Sequence, residues 1–395
     1  MNPAYLDSLG WVYYKRGRFD DAVACLSKAM MQPGGRNPVI LDHLGDALFR
    51  LDRADEAVKQ ARERTARLIG ATPRTMVFTS GATESVSLAI RGAGEVYGGR
   101  RHRIVTVRTE HRAVLATCEA MEREGYETTY LSVGPNGLVD LDELEAALNE
   151  ETFLVSVMWA NNETGVLQPI PEIAELAHRA GALMMTDATQ AVGKVPISVN
   201  HDGVDLLAFS GHKLYGPKGV GALYVRQRGP RVKLAPQLTG GGQEQGLRGG
   251  TLNVPGIVGL GMASYIARRR QADDAERMEA LRDRFEAAVC EAVPGTSVNG
   301  AGAPRLPNTS SLRFEGAQAA QLLPVLYDVA ASAGSACHSR RDAPSHVLTA
   351  MGLTPEQARA TVRFSLGRPT TEAEVDAAVE NVVEAVHLVR RRAAA

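Results

Sequence analysis

Four cysteines in 395 residues, Cys25, Cys118, Cys290 and Cys337, are too few and too scattered for a disulfide framework. No Cys-x-x-Cys pair occurs and no histidine cluster has zinc-ligand spacing, so no metal site is expected. Aromatic residues make up only 5% of the chain, and no apolar run approaches the roughly 18 residues that span a bilayer. Net charge is missing too. Forty-four Lys and Arg against 45 Asp and Glu leave a formal charge of −1, which offers no global attraction to nucleic acid or to an anionic membrane. The opening residues, MNPAYLDSLG, carry neither a basic leader nor an apolar signal core, so a cytoplasmic chain is the expectation. What the chain does have is 44% hydrophobic and 23% charged residues, the composition of a soluble globular protein. At roughly 100–200 residues per domain, the length allows two or three domains.

The first sixty residues repeat themselves. NPAYLDSLG from Asn2 returns as NPVILDHLG from Asn37, a period of 35, and Asp21-Ala22-Val23 returns as Glu56-Ala57-Val58 at the same offset. Apolar residues recur at helical spacing in each copy, with polar breaks at GRFDDA and DRADEA. The segment resembles tetratricopeptide repeats, helix–turn–helix units of about 34 residues. Two unrelated amphipathic hairpins are the alternative. About three such units are needed to bury a continuous core, so two must lean on the rest of the chain or on a partner.

From about Ala61 the pattern changes. Short β-rich runs (MVFTS, RIVTVRT, FLVSVMWA, LMMTDAT, LLAFS, VGALYVR) alternate with helical stretches such as LDELEAALNE and PIPEIAELAHRA. That alternation predicts an α/β fold with βαβ units and a mainly parallel sheet covered by helices. A glycine-rich connector, TGGGQEQGLRGGT, leads into a charged helix expected from about Gly261 to Ala292, and the last hundred residues read as a smaller α+β domain. The expected division is a helical repeat over 1–52, a large α/β domain over 53–262 and a small C-terminal domain over 263–395.

Four segments carry chemistry. MVFTSGATES reads as strand, tight turn and helix. Gly81 allows the turn, and Ala82, Thr83 and Ser85 open a helix whose unpaired N–H groups and dipole suit a phosphate. Many α/β proteins carry such a turn, so alone it does not separate a phosphate cradle from a plain turn. LMMTDATQ puts Asp187 and Gln190 at the end of a buried strand, where a carboxylate needs a cationic or protonated partner. A pyridinium nitrogen would serve, as would a salt bridge or a helix cap. In LLAFSGHKLYGPKG, Lys213 follows an apolar strand on a glycine-flanked turn beside Ser210 and His212, a candidate for Schiff-base chemistry if burial lowers its pKa. Lys218 in the same stretch reads as a loop residue. Phosphate cradle, pyridinium carboxylate and Schiff-base lysine, in this order, are the parts of a pyridoxal phosphate site. Cys337 lies in ASAGSACHSRRDAPSHVL, followed by His338, Arg340 and Arg341, whose positive charge would raise its thiolate fraction. The other three cysteines sit in helix-like or apolar surroundings and read as inert small hydrophobes.

On FTSGATES, TEHRAV, NNETGVLQPI, DATQAVGK, AFSGHKLYGPKG, GGGQEQGLRGGT, GSACHS and RFSLGR, the stretch from about Arg53 to Val389 resembles the cysteine desulfurases, pyridoxal phosphate enzymes of the class V aminotransferase fold. The resemblance implies a fold-type I transferase and assigns roles residue by residue. Lys213 would be the Schiff-base lysine, Asp187 the partner of the pyridine nitrogen and Gln190 that of the ring hydroxyl. His111 would stack on the ring and move protons. Ala82, Thr83, Ser210 and His212 would hold the phosphate, and Thr251 would reach the phosphate of the other subunit. Asn162 would contact cofactor or substrate, and Arg363 would take the substrate carboxylate, a bidentate task unsuited to lysine. Cys337 would attack the sulfur of L-cysteine and keep it as a persulfide while alanine leaves.

The chain departs from the family in two places. The usual opening Tyr-Leu-Asp…Ala-Thr-Thr-Pro strand and Gly-Asn-Pro-Ser segment are replaced by the repeat, and Ser87 stands where asparagine is usual. GSACHS and NNETG also resemble selenocysteine lyases. The expectation is a homodimer with a shared active site, acting on L-cysteine and handing sulfur to an acceptor protein for iron–sulfur assembly, tRNA thiolation or DNA sulfur modification. A selenocysteine lyase, or an impaired enzyme body that serves as an interaction protein through its repeats, are the alternatives.

Overall fold

The computed structural model describes residues 2–32, 38–50, 54–99, 101–333 and 343–394. Its helices are α1 (Pro3–Lys15), α2 (Phe19–Met30), α3 (Pro38–Arg50), α4 (Ala54–Leu68), α5 (Ala82–Tyr97), α6 (Arg112–Arg123), α7 (Leu141–Ala147), α8 (Ile170–Arg179), α9 (Val254–Ala292), α10 (Ala319–Leu322), α11 (His346–Ala350), α12 (Pro355–Arg359) and α13 (Glu372–Ala394). Its strands are β1 (Met76–Thr79), β2 (Arg103–Val107), β3 (Glu127–Leu131), β4 (Thr152–Ser156), β5 (Leu183–Asp187), β6 (Leu206–Ser210), β7 (Gly221–Val225), β8 (Thr296–Val298), β9 (Thr309–Phe314), β10 (Ser332–Ala333) and β11 (Thr361–Ser365). Among the described residues no helix is long and apolar enough to cross a membrane.

Two compact units emerge, one formed by Met1–Arg100 with Met185–Arg270, the other by Arg101–Met184 with Gln271–Ala395. They differ from the division read from the sequence. The expected boundary at 262/263 falls inside α9, which runs unbroken for 39 residues.

In the first unit, α1 and α3 begin 35 residues apart, as do α2 and α4, so the sequence period is a period of helical hairpins. Asn2 caps α1 by accepting from the N–H of Ala4, with Pro3 in the first turn where its missing N–H costs nothing. The hairpins do not stand alone. Leu6, Leu26, Ile40 and Leu44 share a buried core with Met262 and Ile266 of α9, and α4 crosses α9 where Ala61 meets Gly261. The strands run in the order β1-β7-β6-β5. β5 and β6 are parallel, with Asp187 opposite Ala208, while β7 is antiparallel to both its neighbours, placing Gly221 opposite Ser210 and Thr79. The C-terminal ends of β1, β5 and β6 therefore share one edge, where open α/β sheets bind ligands.

In the second unit, β4, β2 and β3 are parallel. The residues of β3 are mostly half-exposed, so it offers no apolar run and escapes the sequence pattern. An antiparallel sheet in the order β10-β11-β9-β8 packs Leu312, Phe314, Val362 and Phe364 against Phe285 and Val289 of α9 and Val382 and Val386 of α13.

Candidate active site

In the first unit, β1 ends at a turn through Gly81, whose φ of 156° and ψ of 179° are open essentially to glycine alone. α5 starts there with no side-chain cap, so its first N–H groups are offered outward. A Cβ on Gly81 would stand 3.5 Å from Ser210 Oγ, which places the hydroxyl at the end of β6 beside the start of α5. Ser210 Oγ lies 2.8 Å from His212 Nδ1. Partial burial, then the charges of Lys213 and Lys218, lower the His212 pKa, so the ring favours its neutral form. Ala82 and Thr83 occupy the first turn of α5.

Asp187 ends β5 and is 5% exposed. Its Oδ1 accepts from the N–H of Thr189 at 3.0 Å, and among the described residues it has no ion pair. Thr189 Oγ1 is buried with no hydrogen-bond partner among the described residues, and the half-buried Gln190 follows it. A buried carboxylate without a cation is costly unless a cationic group is brought to it. The residues of this edge fit pyridoxal phosphate: Asp187 would answer its ring nitrogen, and the open N-terminus of α5 with Ser210 would suit its phosphate.

Lys213 corrects the expectation of a buried amine. The short 3-10 turn Gly211–Leu214 buries Gly211 and Leu214 and turns His212 and Lys213 to the surface, with Tyr215 closing it at φ 67°. Its position is fixed from behind by Lys194, which donates to the carbonyls of Gln190 at 2.8 Å and Lys213 at 3.2 Å. Thr251 is exposed in the segment before α9.

The second unit gathers His111, Asn162 and Arg363. His111 caps α6, its Nδ1 accepting from the N–H of Ala113 at 3.1 Å, which puts the ring proton on Nε2. The loops after β2 and β4 are joined by Asn161, whose side chain donates to the Thr109 carbonyl at 3.1 Å. Arg363 on β11 donates through Nη1 to the Asn162 carbonyl at 2.7 Å. Its Nε is buried with no hydrogen-bond partner among the described residues, a spare donor suited to a carboxylate. Beside it, burial pushes the Glu163 carboxyl up to about 7, although the Ser345 hydroxyl, 2.5 Å away, and the Arg363 charge pull it down.

Cys337, with His338, Arg340 and Arg341, lies outside the described residues. Burial raises the thiol pKa of Cys25 and Cys290 and pushes that of Cys118 up to about 12, so these three stay protonated and unreactive at neutral pH. His102, Glu127 and Glu151 hold ligand atoms within 4.8 Å of one another, but the Arg103 guanidinium stands 2.7 Å from Glu127 and 3.6 Å from Glu151, and that fixed cation already answers the carboxylates. Sequence reading missed Lys194 and Glu163 as individual residues, although both lie inside the DATQAVGK and NNETG blocks.

A family model described as aminotransferase class-V matches residues 49–378, leaving α1 and α2 outside the match. The cysteine desulfurase IscS of Anaeromyxobacter sp. (strain Fw109-5) is 50% identical over 338 residues, 86% of this chain and 83% of the relative. The cysteine desulfurase IscS of Escherichia coli O139:H28 (strain E24377A / ETEC) is 48% identical over the same shares. Of solved structures, a NifS-like protein is similar with a TM-score of 0.78 at 36% identity, covering 86% of this chain and 90% of its own. DndA from Streptomyces lividans is similar with a TM-score of 0.72 at 36% identity, covering 88% and 95%. With these likenesses spanning the very segments that build the Asp187 edge and the Arg363 cluster, the chain belongs to the class V aminotransferase family, among its cysteine desulfurases.

Proposed function

We propose that this chain is a cytoplasmic homodimer that converts L-cysteine to L-alanine, takes the sulfur on Cys337 as a persulfide and passes it to an acceptor protein. The observation that carries the reading is the edge where β1, β5 and β6 end, with a buried Asp187 that has no ion pair among the described residues, the Ser210–His212 pair and Lys213 side by side. Pyridoxal phosphate, when bound, supplies an electron sink for the electron pair left at the substrate Cα. Lys213 would anchor it covalently, Asp187 would keep its ring nitrogen protonated, Gln190 would bond its ring hydroxyl, and Ala82, Thr83, Ser210 and His212 would hold its phosphate. Thr251 would reach the phosphate bound by the partner subunit.

Arg363 would bind the substrate carboxylate through its spare donor, held in place by the Asn162 carbonyl. His111 would give a proton from Nε2 and, on releasing the N–H of Ala113, take one at Nδ1. The Cys337 thiolate attacks the substrate sulfur. The new S–S bond forms as the Cβ–S bond breaks, and the carbon fragment takes up a proton at Cβ and leaves as alanine.

Purified protein should carry a visible cofactor absorbance and release alanine from L-cysteine. Lys213→Ala should lose both, because it removes the amine that would anchor the cofactor covalently. Normal turnover by Lys213→Ala would refute the assignment, and turnover of selenocysteine alone that survives Cys337→Ala would favour the lyase.

A further inference from the structure

The connector between β7 and α9 holds a strained turn that the chemistry above does not use. Glu244 at φ 49° and Gln245 at φ 60° are consecutive side-chain-bearing residues in the left-handed region. Such residues persist only where their surroundings over-determine them. Glu244 is buried, and its carboxylate accepts from the N–H of Phe78 in β1 at 2.6 Å and from both terminal nitrogens of Arg62 on α4, Nη1 at 2.8 Å. Arg62 also donates to the Met76 carbonyl at 2.7 Å and lies over the Phe78 ring at 4.5 Å. A second anchor stands further on. Arg248 Nε donates to Glu84 Oε1 at 2.8 Å, and Glu84 Oε2 accepts the N–H of Ser80 at 2.7 Å, tying the connector to the turn that opens α5.

Between these anchors the connector closes on itself. The N–H of Gly249 donates to the Leu238 carbonyl at 2.8 Å, and that of Gly250 to Gln243 Oε1 at 3.0 Å. A Cβ on Gly249 would stand 2.6 Å from the Gly240 nitrogen, so the two strands of the connector meet backbone to backbone. The next residue, Thr251, is exposed. An ion pair with a buried carboxylate is a poor source of net stability but a strong determinant of geometry.

We infer that Glu244 and Arg62 form a clamp that holds the connector in its strained shape and so presents Thr251 to a second copy of this chain, whose bound phosphate it would meet. This rests on the shared-site reading above. Glu244 is then a positioning residue, acting on cofactor affinity only through Thr251.

The test is a pyridoxal phosphate titration of the full chain stripped of cofactor, read by absorbance, with sedimentation of the same samples to read dimer dissociation. Thr251→Ala should weaken cofactor affinity about tenfold, the value of one charge-assisted hydrogen bond. Glu244→Ala should weaken it by a similar factor, and the double variant should lose no more than either alone, because both act through one contact. Adding Gln245→Gly to Glu244→Gln should recover part of the loss, since glycine takes φ 60° without strain. Should Glu244→Ala fail to fold, Glu244→Gln is read in its place. Unchanged affinity in Thr251→Ala would overturn the shared-site reading. A weakened Thr251→Ala beside an unaffected Glu244 variant, or losses that add in the double variant, would overturn the clamp and leave the shared site standing.

Discussion

Glu163 shows how burial can outweigh charge at a single side chain. It is 3% exposed, and its desolvation exceeds the combined pull of the Ser345 hydroxyl and the Arg363 charge, leaving the carboxyl at about 7 against an ordinary 4.5. The folded state therefore holds this proton more tightly than the unfolded chain does. Its stabilising contribution is present in full below pH about 4.5 and is lost progressively until the pH passes about 7, roughly 3 kcal/mol in all. Glu163→Gln, neutral at every pH, should flatten that part of the stability profile. Urea midpoints measured from pH 4.5 to 8 check this, and parallel profiles for the two proteins would contradict it. At this scale the sequence marked residue types and left their surroundings open. Asp187 at a strand end was readable because LMMTD is an apolar run that stops at a carboxylate. The exposure of Lys213 was not, because a turn of four residues decides which two face inward. Lys194, Glu163 and Glu244 matter through partners 19 to 182 residues away, which no local pattern reveals.

The elements that carry the candidate site meet more closely than side chains would permit. Gly221 lies opposite Ser210 on one side and Thr79 on the other, and a Cβ there would stand 2.6 Å from both the Gly81 Cα and the Phe209 carbonyl oxygen. Both are backbone atoms that cannot rotate away. Gly221→Ala must push the end of β1 and the start of α5 off β6, at a cost of about 1–3 kcal/mol. A lowered denaturation midpoint together with weaker pyridoxal phosphate binding is the expected result, and unchanged values of both would contradict the close approach. Strands β1, β2, β4, β5, β6 and β7 were legible as short apolar runs because they are buried on both faces. β3 was not, being half-exposed. The spacing of the first helices was legible, since α1 and α3 start at the two copies of the Asn-Pro pair.

At the scale of the whole molecule, the length of 395 residues is shared between a desulfurase body and a repeat that precedes most of the family match. The N-terminal helices bury their apolar faces on Met262 and Ile266 of α9, which gives them a core they could not build alone. Composition located the change of texture near residue 61. It could not show that residues 185–270 return to pack with the first hundred, because that is decided by long-range burial along a helix common to both units. The measurement that bears most directly on the central claim is single-turnover alanine release from L-cysteine, with protein-bound persulfide quantified, in the holoenzyme and in Cys337→Ser. The full chain should release one alanine and gain one persulfide per active site, while Cys337→Ser should keep its bound cofactor and lose both products. Persulfide formed in Cys337→Ser at the wild-type rate would contradict the assignment.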